Sequence, residues 1–200
     1  STLGWFDDPV LSTFIKHSET DLAELIFHEL AHRRLFLAGD ATFNESFATA
    51  TARAGVQRWL RAKGKTEAEK RYDAECKREN AFVGLVLKTR SALKDLYQTG
   101  RPPETMRKRK ALILQELKSQ LLALHEEDPE HSGLARWAER PINNANLAAI
   151  AVYYRQVPVF ERLLKNNDGD LEKYFAEVKS LSKLAKEERI RRMESLVREK

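Results

Sequence analysis

His28-Glu29-Leu30-Ala31-His32 sets two imidazoles four residues apart, with a carboxylate directly after the first. Four residues are slightly more than one helical turn, so on a helix His28 and His32 share a face and their ring nitrogens can converge on one ion. Zinc accepts imidazole nitrogen at about 2.0–2.1 Å and, in a catalytic site, takes a third protein ligand while its fourth position stays open to water. Glu29 lies about 100° round the helix from His28, poorly placed to coordinate and well placed to reach that water. Glu45, in Asn44-Glu45-Ser46-Phe47-Ala48, is the candidate third ligand. A turn at Gly39-Asp40 lets the segment after it fold back and bring Glu45 to the ion. Glu45 has a second reading, because Thr42-x-x-Glu45 also fits a capping box that would direct the carboxylate to a backbone amide. The neighbouring HExxH favours ligation. Asn44 either hydrogen-bonds a substrate backbone or shapes the start of the helix.

These residues need helices to hold them. Ser18 to Asp21 supplies N-cap candidates, and Asp21 with Glu24 has capping-box spacing, so a helix is expected from Asp21 to Leu37, stopped by Gly39-Asp40. A second is expected from Phe43 to Ala62, and after the break at Gly64 a long charged helix from Thr66 to Thr99. Gly100-Arg101-Pro102-Pro103 ends that helix, and another runs from Glu104 to Glu127. Phe82, Val86, Leu93 and Leu96 on one arm and Leu114, Leu117, Leu121 and Leu124 on the other predict an antiparallel helical hairpin. Two further helical stretches are expected near 142–165 and 170–198, delimited by Asp128-Pro129 and Asn166-Asn167-Asp168-Gly169. Residues 1–18, aromatic and β-branched but broken by Asp7-Asp8-Pro9, read as an extended segment and turn, a short N-terminal edge strand. The expected class is mainly α, a single domain in three parts: metal-binding helices at 1–65, the hairpin at 66–127 and C-terminal helices at 128–200.

Composition narrows the rest. The 200 residues include 35 Lys and Arg against 30 Asp and Glu, a net charge of +5, and 42% are hydrophobic, enough for a real core. With 8 Gly and 6 Pro, a collagen-like or low-complexity chain is excluded. One cysteine, Cys76, cannot form an internal disulfide or a four-cysteine zinc site. The opening residues show no basic region followed by an apolar one, so no signal peptide is visible in them. The longest uninterrupted apolar stretch, Leu147 to Tyr154, is far short of the roughly 18 residues of a spanning helix.

HELAH followed by NESFA resembles the gluzincin metallopeptidases. The wider string, LGWFDDPVLSTF, then LIFHELAHRRLFLAGDATFNESFATA and later NNANLAAIAVYYRQVPVFERLL, resembles the bacterial family named Putative aminopeptidase, over residues 1–165 or so. The resemblance implies a zincin-like helical catalytic subdomain with His28, His32 and Glu45 as zinc ligands and Glu29 as general base. The gap between His32 and Glu45 is shorter than in the best-studied gluzincins. The expected chemistry is zinc-dependent peptide hydrolysis, in which a metal-activated water gives its proton to Glu29, which passes it to the leaving amine. By the same resemblance, Tyr153 and Tyr154 are candidates to stabilise the oxyanion, Tyr153 preferred because the family's recurring tyrosine falls there. Asn143 and Asn144 are candidate polar groups of the substrate pocket. The partner implied is a peptide, and the location periplasmic or envelope-associated. An aminopeptidase must also hold a free amino terminus, and the segment that does so in the large aminopeptidases is not present in these residues.

Other features carry blander readings. His125 and His131 bracket an acidic run at a helix end and read as a solvated turn, His17 as a surface residue and Cys76 as packing. Arg107 to Lys110 is flanked by Glu104 and Glu116 and reads as a solvated face, without a nucleic-acid partner. Asp168-Gly169-Asp170 lacks the other ligands of a calcium loop and reads as a turn. A rival from another class is a catalytically inactive helical interaction module that retains the metal site.

Overall fold

Ser18 opens the first helix: its hydroxyl accepts from the Asp21 amide and its own amide donates to the Asp21 carboxylate, each at 3.1 Å. This reciprocal box starts α1, Glu19–Arg34, ahead of the expected Asp21, because Asp21 is the third residue of the box and not its cap. In the computed structural model, which describes residues 18–127 and 137–198, seven more helices follow among those residues, besides a helical stretch at 137–139. They are α2 Ala41–Ala62, α3 Thr66–Gln98, α4 Pro103–Glu127, α5 Asn144–Tyr154, α6 Val157–Asn166, α7 Leu171–Ser182 and α8 Lys186–Arg198. The class is mainly α, with no strand among the described residues. The expected edge strand within residues 1–18 falls outside them, except for Ser18, which caps α1.

The differences from the expected boundaries have local causes. α1 ends at Arg34 rather than Leu37, since Leu35 turns extended and both Leu35 and Leu37 pack against the core. α2 starts at Ala41 because Asp40 is its cap, accepting from the Phe43 amide at 3.1 Å. The stretch expected at 142–165 is two helices, α5 and α6. Pro158 has no amide proton to continue the α5 ladder and sits instead in the first turn of α6. The stretch at 170–198 is likewise divided, at Lys183 to Ala185.

The chain forms two compact units, Ser1–Glu69 with Val152–Lys200, and Lys70–Ala151. In the first, every residue of α2 from Phe43 to Ala54 except half-buried Glu45 is buried, and its small residues let neighbours come close. Phe43 and Phe47 meet Phe160 of α6 edge-on at ring-centroid distances of 5.2 and 5.7 Å, and Tyr174, Val178, Met193 and Leu196 from α7 and α8 complete the cluster. In the second unit, Val86, Leu93 and Leu96 of α3 share a cluster with Leu117 and Leu121 of α4. A link of only Thr99 to Pro102 with a cluster that reaches so far along both arms requires them to run antiparallel, as the sequence led us to expect.

One packing detail governs the approach of α1 to α2. A Cβ at Gly55 would lie 2.7 Å from Cγ of the Phe27 ring, near the root of that side chain rather than its flexible end. Gly55 therefore admits Phe27, the residue before His28, onto the backbone of α2. An unobstructed Gly→Ala change inside a helix is stabilising by up to about 1 kcal/mol. Here Gly55→Ala should destabilise by about 1–3 kcal/mol through overpacking, read as a lower urea midpoint at unchanged slope. A raised midpoint would show that Phe27 has room to move.

Candidate metal centre

α1 places His28 and His32 one turn apart on the side that faces α2, and the turn Leu35 to Asp40 swings α2 back so that Glu45 comes up between them. The turn is held by Asn44, only 2% exposed, whose Oδ1 accepts from the Leu37 amide and whose Nδ2 donates to the Leu37 carbonyl, both at 2.8 Å. Asn44 thus shapes the entry to the helix. The capping alternative for Glu45 has no cap to use, since Asp40 and not Thr42 occupies that position.

His28 Nε2 lies 3.2 Å from His32 Nε2 and 3.2 Å from Glu45 Oε2, and His32 Nε2 lies 3.6 Å from Glu45 Oε2. Tetrahedral zinc with ligand distances of about 2.0–2.1 Å requires donor atoms about 3.3 Å apart. The three observed edges fit that spacing, and two neutral nitrogens with one carboxylate oxygen are a donor set zinc accepts. Among the described residues, these three are the only group of three or more His, Cys, Asp or Glu disposed to hold an ion. Glu29 is not part of it.

Protonation matches the donor role. Burial, reinforced by His32, holds the His28 pKa below the usual histidine range against the opposing pull of Glu45 and Glu29, so the ring is neutral near pH 7 and keeps a lone pair. Tyr153 stacks near His28, ring centroids 6.4 Å apart at 26°, and is 44% exposed. The charge on Glu45 raises its pKa, with burial and Glu29 adding to the effect, so its hydroxyl stays protonated as a donor. Glu29 thus acts electrostatically on both His28 and Tyr153. Tyr154, about 100° further round α5, points elsewhere: it packs against the core cluster with the Arg53 guanidinium 5.8 Å from its ring.

Two side chains of α2 outside the sequence-based candidates reach the segment 154–161. Ser46, fully buried beside Glu45, accepts from the Gln156 amide at 3.2 Å. Arg53, 3% exposed, pairs with Glu161 at 2.8 Å as well as lying by Tyr154. Arg53 was detectable as the one charge in the run Ala48 to Val56, otherwise small or apolar. Ser46 carries no such signal. His32 Nδ1 is buried and meets no hydrogen-bond partner among the described residues.

The remaining candidates have local duties. Asn143 Oδ1 accepts from the Ala145 and Asn146 amides at the start of α5, and Asn144 Oδ1 accepts from the Tyr97 hydroxyl at 3.1 Å, all within the second unit. Asp168 and Gly169 have positive φ, and Asp170 caps α7, so that segment is a turn. Lys108, from the basic run, pairs with Glu104 at the surface. His17 and His131 lie outside the described residues.

Among families, the one described as Putative aminopeptidase matches residues 1–193. No curated protein and no solved structure matches the chain.

Asn44→Ala leaves the Leu37 amide without its partner and the Leu37 carbonyl with only the Asp40 amide at 3.4 Å, and should cost about 1–3 kcal/mol. Chemical denaturation monitored by far-UV circular dichroism reads this directly, and an unchanged midpoint would mean that water replaces the amide.

Proposed function

The chain belongs to the Putative aminopeptidase family, and on that premise we propose that it is a gluzincin-type zinc peptidase. His28, His32 and Glu45 would hold the ion, Glu29 would act as general base and Tyr153 as oxyanion donor, with a peptide as substrate. The observation that carries the reading is the donor triangle, whose edges of 3.2, 3.2 and 3.6 Å suit a tetrahedral ion.

When bound, zinc supplies Lewis acidity, making water acidic enough to attack at neutral pH and polarising the scissile carbonyl. Glu29, outside the ligand triangle but close enough to act on His28 and Tyr153, takes the proton of the attacking water. It then carries that proton to the leaving amine, which would otherwise depart as an unstable anion. Tyr153, protonated at neutral pH as a tyrosine ordinarily is, donates its hydroxyl hydrogen to the oxygen on which negative charge develops. His28 and Glu45 hold their places because α1 and α2 are packed, and Asn44 contributes through the turn it closes.

Elemental analysis of the purified chain should find one zinc per molecule, absent from His28→Ala. Glu45→Ala should weaken zinc by more than the roughly 10–100-fold typical of losing an outer partner, by competition with a chromophoric chelator. Undiminished affinity would remove Glu45 from the ligand set.

Glu29→Gln separates binding from chemistry. It should keep stoichiometric zinc and lose about 10²–10⁴-fold in peptide turnover, measured on a fluorogenic peptide library. Normal turnover in that variant would end the assignment of Glu29 as base, and zinc without cleavage by the unmodified chain would favour the interaction-module alternative.

A further inference from the structure

The ligand helix begins on an ion pair that reaches in from the far end of the chain. Arg189, in the first turn of α8, is 5% exposed, and its Nη2 donates to Asp40 Oδ2 at 2.8 Å. Asp40 is the cap of α2, and its other oxygen, Oδ1, takes the Phe43 amide at 3.1 Å. One carboxylate therefore does two jobs, closing the first turn of the ligand helix and binding a buried guanidinium.

Arg189 is fixed from its own side as well. Nη1 donates to the Leu184 carbonyl at 2.9 Å, and the guanidinium lies 5.4 Å from the centroid of the fully buried Phe43 ring. A planar fork with two nitrogens committed in different directions is held in one orientation, which lysine reproduces only in part. Asp40 has a side chain 12% exposed, so without Arg189 it would be a buried carboxylate lacking its partner. Such a group rotates toward water, and the hydrogen bond to the Phe43 amide weakens.

We propose that Arg189 is a positioning residue for Glu45, acting through the Asp40 cap of α2. The inference rests on the ligand role of Glu45 given above and adds that a residue bearing no ligand, in the C-terminal helix, sets the affinity of the site. First turns of helices fray because their amides have no partner within the helix. Glu45 lies just beyond that turn, so loosening at Asp40 reaches it as a change in where its carboxylate points.

The test uses the intact chain and zinc alone as probe. Arg189→Met should weaken zinc about 10–100-fold and alter the visible spectrum of the cobalt-substituted protein, which reports ligand geometry directly. Arg189→Lys should recover most of the affinity. Asp40→Asn, whose single side-chain oxygen can take the Phe43 amide or the Arg189 guanidinium but not both in their present places, should weaken zinc as Arg189→Met does, and the double variant should be no worse than either single one. Glu161→Gln, which breaks the Arg53 pair in the same unit, should lower the melting temperature and leave zinc affinity in place. Wild-type-like affinity and cobalt spectrum in a folded Arg189→Met protein would overturn the proposal and leave Arg189 as a staple of the fold.

Failure of the zinc reading looks different, for then the wild-type chain itself binds no zinc. Hydrogen exchange at residues 41–45 decides the positioning claim in that case. Faster exchange in Arg189→Met than in Glu161→Gln supports it, and equal exchange overturns it.

Discussion

Two imidazole nitrogens and a carboxylate oxygen held within 3.2–3.6 Å of one another are an arrangement that a folded chain must hold against resistance. Each atom presents lone pairs, and crowding lone pairs away from bulk water is unfavourable unless a proton or cation lies among them. Burial adds to the difficulty by lowering the proton affinity of His28. The helices around the triangle therefore have to be rigid enough that the side chains cannot relax apart. The contacts that supply this rigidity are specific: the Phe27 ring on bare backbone at Gly55, the Asn44 amide locked to Leu37, and the Phe43 and Phe47 rings against Phe160.

α2 is the element through which these constraints meet. It is buried along most of its first half, and its Ala and Thr residues give little side-chain bulk to hold neighbours off. Its polar residues face outward to other segments: Ser46 to the Gln156 amide, Thr51 to the Tyr174 hydroxyl, Arg53 to Glu161, Asp40 to Arg189. Each such bond joins the ligand helix to a residue more than a hundred positions away in sequence. The candidate site lies in residues 28–45, and the helix that carries Glu45 shares its hydrophobic cluster with residues of α6, α7 and α8.

The sequence showed the chemistry more readily than the geometry that holds it. HExxH is legible because its meaning depends only on helical period, and the stop at Gly100 with two prolines is legible because backbone sterics act locally. What failed to show were outcomes decided by tertiary packing. Leu35 to Leu37 have helical propensity, yet the core draws the leucines out of α1. Tyr153 and Tyr154 are the same residue type in adjacent positions, and only the placement of α5 separates the ring beside His28 from the one beside Arg53. Asn44 had two readings of equal standing until its amide was seen paired with Leu37 on both sides.

Charge balance connects the ligands with the groups assigned to the chemistry. Ligating imidazoles are neutral, so the fixed charge around the triangle is that of two carboxylates, Glu45 and Glu29, and both are felt at His28 and at Tyr153. A divalent cation brings that sum to zero, which makes its binding favourable beyond the coordination bonds themselves. Without an ion the same two charges raise the Tyr153 pKa, and a tyrosine hydroxyl is in any case a donor at neutral pH. Glu29 lies outside the triangle of donor atoms, and its charge beside half-buried His28 favours a cation there without coordinating it. The general-base role proposed for Glu29 would give that charge a second use, taking a proton from water beside the ion.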